Sequence, residues 1–68
     1  MNFIIELEQE VDGRWIAEVI NLPGVIAYHV SREDAMARAQ AIAMHVEADK
    51  LENGERQSFT SGIFFRAV

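Results

Sequence analysis

The run DGRWIAEVINLPGV, Asp12 to Val25, sets small and apolar side chains in alternation between two glycine-bearing turns. A period of two marks a strand with one buried face and one wet face. Trp15, Ala17 and Val19 share one face, and Arg14, Ile16, Glu18 and Ile20 the other. Asp12-Gly13 in front of this strand is a two-residue hairpin signal, because both central positions of such a turn want positive φ. That expectation pairs Val11 with Arg14. Behind the strand, Leu22-Pro23-Gly24 has type II turn chemistry: proline presets φ at the first central position and glycine accepts positive φ at the second. A turn at each end pins the register, and a slip of one residue would exchange Trp15 and Ile16 across the sheet.

Working outward, NFIIELEQEV sets Phe3, Ile5, Leu7 and Val11 against Glu6, Glu8 and Glu10, a first alternating strand. VIAYHV, residues 25–30, reads as a third. Ser31 then suits a helix N-cap, with Glu33 and Asp34 in the first turn where carboxylates complement the helix dipole. From Arg32 to about Leu51 the chain is rich in alanine and free of breakers, and Ala35, Ala39, Ile42 and Val46 recur on one helical face. Asn53-Gly54 predicts a C-cap with glycine in the left-handed conformation. FTSGIFFRAV, residues 59–68, completes the set as a fourth strand with Gly62 its weak point; either Phe64 or Phe65 can point outward.

The order is thus β-β-β-α-β. Three strands form an antiparallel meander, and a right-handed crossover through the helix brings the fourth strand parallel to the first, in spatial order 3-2-1-4. One helix covers one face of such a sheet. The expectation is a two-layer α+β fold, a single domain over residues 1–68, with the second face open.

The chain has 68 residues and no cysteine, which excludes disulfides and thiolate metal sites. Half of it is hydrophobic and a quarter charged, as in soluble globular domains. No apolar run approaches the roughly 20 residues that cross a bilayer, and the amino terminus lacks the basic region and cleavage site of a signal peptide. Cytoplasmic localisation, with no membrane partner, is expected. Eleven acidic residues against six basic give a net charge of −5. Nucleic-acid binding rests on cations that neutralise phosphates, so direct nucleic-acid binding is not expected. The balance favours a basic protein partner.

Glu6, Glu8, Glu10 and Glu18 invite a metal-nuclease reading. Two-metal catalysis needs carboxylates converging on ions about 4 Å apart, whereas residues two apart along a strand stand roughly 7 Å from each other. His29 and His45 have no evident third ligand or orienting carboxylate, and Ser31 has no base beside it. No catalytic residue, metal or cofactor is therefore expected, and the protein is not read as an enzyme. Ile4, Ile16 and Ile20 do not fit a purely solvated face. They lie among the glutamates, and Phe64 and Val68 join them if Phe64 points outward. An apolar patch with acidic neighbours marks an interaction surface. The expected interface is Ile4, Glu6, Glu8, Ile16, Glu18, Ile20 and Phe64, held by the turns at Asp12, Gly13, Pro23 and Gly24 and the cap at Ser31. It is expected to mediate self-association or partner docking.

Gly13, Trp15, Ala17, Leu22, Pro23, Gly24, Ser31 and Ala35, spread over residues 12 to about 48, resemble the pattern of the HicB family of toxin–antitoxin antitoxins. Asn21 stands where the family often has an acidic residue, and Val25 where it often has a small residue or cysteine. The resemblance implies a truncated ribonuclease-H-like fold without its active site. It also implies a homo-oligomer that binds HicA, a small basic mRNA-cleaving toxin, and blocks the toxin's catalytic histidine and RNA surface. Many members carry a further C-terminal DNA-binding module, whose function is not carried over to residues 1–68. A structural or regulatory oligomer of the same fold without a toxin is the second expectation.

Overall fold

Side chains on β1 (Asn2–Gln9) and β2 (Trp15–Val19) alternate as their sequences require, and the strand register sets which of them meet. In the computed structural model, which describes residues 1–55 and 62–68, these strands are followed by β3 (Ile26–His29), α1 (Arg32–Glu52) and β4 (Phe64–Ala67). The sheet order is β3-β2-β1-β4, with β1 parallel to β4 and the other pairs antiparallel. This is the α+β arrangement expected from the chain order. Residues 59–61 of the expected fourth strand lie outside the described residues, and Gly62 precedes β4, with φ +88°.

One sheet face is the core. Ile5 lies opposite Val19, Leu7 opposite Ala17, Ala17 opposite Ala27, and Phe3 opposite Phe65. Phe3, Ile5, Ala17, Val19 and Ala27 are buried beneath Ala35, Ala39 and Ala43 of the helix, while Leu7, Trp15, Ile42 and Val46 are partly buried around them. Complete burial of a side chain such as Ile5 contributes about 1.5–3 kcal/mol. Phe65 is the inward phenylalanine: its ring stacks on Phe3 with centroids 5.4 Å apart. The helix differs from expectation in the stripe it buries. Ala35, Ala39, Ala43 and Glu47 are the buried positions, whereas Ile42 and Val46 sit on the flank. Alanine at the line of closest approach lets the helix lie near the sheet, and the branched side chains then fill the margin.

The first hairpin also corrects the sequence expectation. Gly13 N–H donates to the Glu10 carbonyl at 2.9 Å, and Glu10 N–H donates to the Arg14 carbonyl at 2.7 Å. Gly13 has φ +92°, and among the described residues none other than glycine has positive φ. The loop is therefore Val11-Asp12-Gly13, a turn closed by a left-handed glycine, with Glu10 rather than Val11 facing Arg14. Val11 is fully exposed. The longer loop is what permits odd positions to face odd positions, as Leu7 and Ala17 do. A two-residue turn would have set Leu7 against Glu18, and burial decided between the two. Asp12 Oδ1 accepts from Arg14 N–H at 3.0 Å and steadies the loop.

The remaining punctuation is as expected. Val25 N–H donates to the Leu22 carbonyl across Pro23-Gly24, with Gly24 at φ +86°. Ser31 Oγ accepts from Asp34 N–H at 3.1 Å. At the other helix end, Glu55 N–H reaches the Lys50 carbonyl and Gly54 N–H the Leu51 carbonyl, with Gly54 at φ +72°. That pair of bonds is a Schellman cap.

Candidate functional site

Even-numbered side chains of the strands form the second face of the sheet, and no element among the described residues covers it. Across the strands, Tyr28 lies opposite Ile16 and Ile16 opposite Glu8; Ile26 lies opposite Glu18 and Glu18 opposite Glu6. Ile20 follows in the next row, its N–H donating to the Ile4 carbonyl at 2.9 Å, and Ile4 in turn lies opposite Arg66. Ile26, Tyr28 and Phe64 are 41%, 49% and 58% exposed, unusually open for large apolar side chains on one face. Ile4 and Ile16 are half-buried by their neighbours.

All seven interface positions expected from sequence, Ile4, Glu6, Glu8, Ile16, Glu18, Ile20 and Phe64, thus share one face. Ile26 and Tyr28 extend it and were missed. Their alternation with Val25 and Ala27 was visible in VIAYHV, but the parity of β3 depends on the register that the Leu22–Val25 turn delivers. The turn residues Asp12, Gly13, Pro23 and Gly24 stand at the two ends of β2, outside the face, and Ser31 caps the helix beyond it.

Charge on this face is one-sided at its centre. Glu6 and Glu18 sit directly opposite one another on neighbouring strands, an arrangement in which like charges destabilise a sheet. The close contacts between titratable side chains among the described residues lie elsewhere: Lys50 Nζ is 3.4 Å from Glu47 Oε2, and His29 Nδ1 is 3.6 Å from Asp34 Oδ2. Arg66 lies on β4, an edge strand, and Arg14 beyond the hairpin end of β2. Arg66 shares the open face through its place opposite Ile4, but neither arginine is within ion-pair distance of Glu6 or Glu18.

Asn21 ties the end of this face together. Its Oδ1 accepts from Ile4 N–H at 3.0 Å and its Nδ2 donates to the Asn2 carbonyl at 2.7 Å. The side-chain amide thereby continues the β1–β2 ladder past the end of the strand. Next to it, Asn2, Ile4, Phe64 and Arg66 border an open depression of about 330 Å³.

The histidines take other positions. His29 Nδ1 accepts a hydrogen bond from Val30 N–H at 3.0 Å, with Asp34 Oδ2 3.6 Å away. A carboxylate is therefore near His29, contrary to expectation. The Val30 bond occupies the Nδ1 lone pair, so with that bond in place Asp34 is a neighbour rather than an ion-pair partner. His45 lies exposed on the helix. Among the described residues, no three histidine, aspartate or glutamate side chains are grouped to hold a metal ion, and no helix is long and apolar enough to cross a membrane. Comparison with protein-family models, curated sequences and solved structures returns no match to this chain.

Proposed function

We propose that this chain is a HicB-like antitoxin domain, a non-catalytic cytoplasmic protein that binds and neutralises a small basic mRNA-cleaving toxin of the HicA type. The observation that carries the reading is the bare sheet face, apolar and acidic together, on a domain of net charge −5. Such a face is suited to a basic protein surface and unsuited to a polyanion. The turn-and-cap pattern from Gly13 to Ala35 adds the resemblance, and a four-stranded sheet with a helix on one side supports the truncated ribonuclease-H-like fold that it implies. Glu6, Glu8 and Glu18 act here as recognition groups, spread along two strands rather than gathered on a metal.

The test is co-expression with a small basic HicA-type toxin, taken from an adjacent reading frame where one encodes such a protein. Growth should be rescued, the two proteins should co-purify, and RNA cleavage by the partner should stop at stoichiometric amounts of this chain. Cleavage that continues in excess of this chain would remove the antitoxin reading. A structural or regulatory homo-oligomer without a toxin is the second reading. It is favoured by β3 and β4, whose outer edges pair with no further strand among the described residues. A stable oligomer in sedimentation, together with no inhibition of the toxin, would select it.

A further inference from the structure

Protein interfaces ordinarily place apolar side chains at the centre and charge at the rim. The open face of this sheet reverses that order. Glu6 and Glu18 oppose each other on the two central strands. Ile4, Ile16, Ile20, Ile26 and Tyr28 surround them on the same side, with Glu8 opposite Ile16 and Arg66 opposite Ile4 completing the surround. Any body large enough to cover the apolar ring also removes water from the glutamate pair. Two carboxylates desolvated side by side are strongly unfavourable without a counter-charge. The occupant must therefore bring positive charge to the middle of its contact surface.

Resting on the reading of this face as a docking surface, we infer that it takes a partner protein centred on an arginine, with aliphatic or aromatic neighbours, whose guanidinium seats between Glu6 and Glu18. Arginine suits the position better than lysine, because its planar fork offers donors to two carboxylates at once. A second copy of this chain is the wrong occupant. A two-fold contact through the centre of the face sets Glu6 and Glu18 against their own images. Of the copy's arginines, Arg14 stands at the hairpin end of β2, and Arg66 shares the face but lies on the edge strand, away from its centre. On this inference self-association uses another surface, and of the two roles expected for Ile4, Ile16 and Ile20, self-association or partner docking, the face is assigned the second.

The experiment uses the full chain and the double variant Glu6→Gln/Glu18→Gln. Random dodecapeptides displayed on phage are selected on the wild-type chain, and the recovered peptides are measured against both proteins. Recovered peptides should carry an arginine flanked by apolar residues and shift the amide resonances of Ile16, Glu18 and Tyr28. Their affinity should fall by about tenfold or more on the double variant and should fall with added salt. The same variant should melt no lower than wild type, because an opposed like-charge pair has been removed. Binding and stability then move in opposite directions, which a merely structural role for the glutamates would not produce. No enrichment, peptides without a cation, or equal binding to both proteins would overturn the inference. A dimer of the chain alone that Ile16→Glu dissolves and the double variant strengthens would overturn it too, since the occupant would be a second copy. Selection makes no use of a toxin, so the two proposals fail separately. A toxin neutralised equally well by the double variant removes this inference alone, and arginine peptides without any neutralised toxin remove the antitoxin reading alone.

Discussion

Gly13 and Gly24 hold φ of +92° and +86°, and a Cβ built at either position meets no atom within 4 Å. Valine there is strained by its backbone and not by a clash. Gly13→Val and Gly24→Val should each cost about 1–3 kcal/mol, read as lower melting temperatures with unchanged far-ultraviolet spectra; unaltered melting would refute the positive-φ turns. Both glycines were legible in the sequence because the signal lies within a few residues. Asn21 was not. Its importance comes from Ile4 and Asn2, which only strand pairing brings within reach. Asn21→Asp supplies the residue common in the resembled family, yet it loses the donor to the Asn2 carbonyl and sets a negative charge beside it. A loss of about 0.5–1.5 kcal/mol is expected in denaturant titration. A gain in stability would mean that the amide clamp is not made in solution.

At the level of elements, α1 shows how far periodicity reaches. Its cap residues were legible, and Ser31→Ala should cost about 1 kcal/mol by removing the acceptor for Asp34 N–H. Its inward stripe was only half legible. Spacings of three and four from Ala35 and Ala39 lead equally to Ile42 and Val46 or to Ala43 and Glu47. The choice depends on how closely the helix can approach a sheet whose facing residues include Ala17 and Ala27. Ala39 has no exposed surface, so Ala39→Leu should force the two layers apart and cost about 1–3 kcal/mol. A melting temperature equal to or above wild type would show slack between helix and sheet.

For the whole molecule, the two faces of one sheet should fail in different ways. Ile5→Ala removes a completely buried side chain and should cost about 2–5 kcal/mol. Ile16→Glu alters the open face and should preserve the helical circular-dichroism signal while abolishing partner binding. Unfolding by Ile16→Glu, with Ile5→Ala harmless, would mean that the faces are reversed. What the amino-acid order determined by itself were the features written within a few residues: the turns, the helix caps, the alternation of the strands, and through them the 3-2-1-4 order. Backbone dihedral preferences and periodicity act locally, so they survive without knowledge of any distant neighbour. The tertiary structure alone decided the three-residue hairpin loop, the inward turn of Phe65, the membership of Ile26 and Tyr28 in the open face, and the meeting of Glu6 with Glu18. Each of these depends on register, and register is chosen by which whole set of side chains can be buried together once strands far apart in the chain are paired.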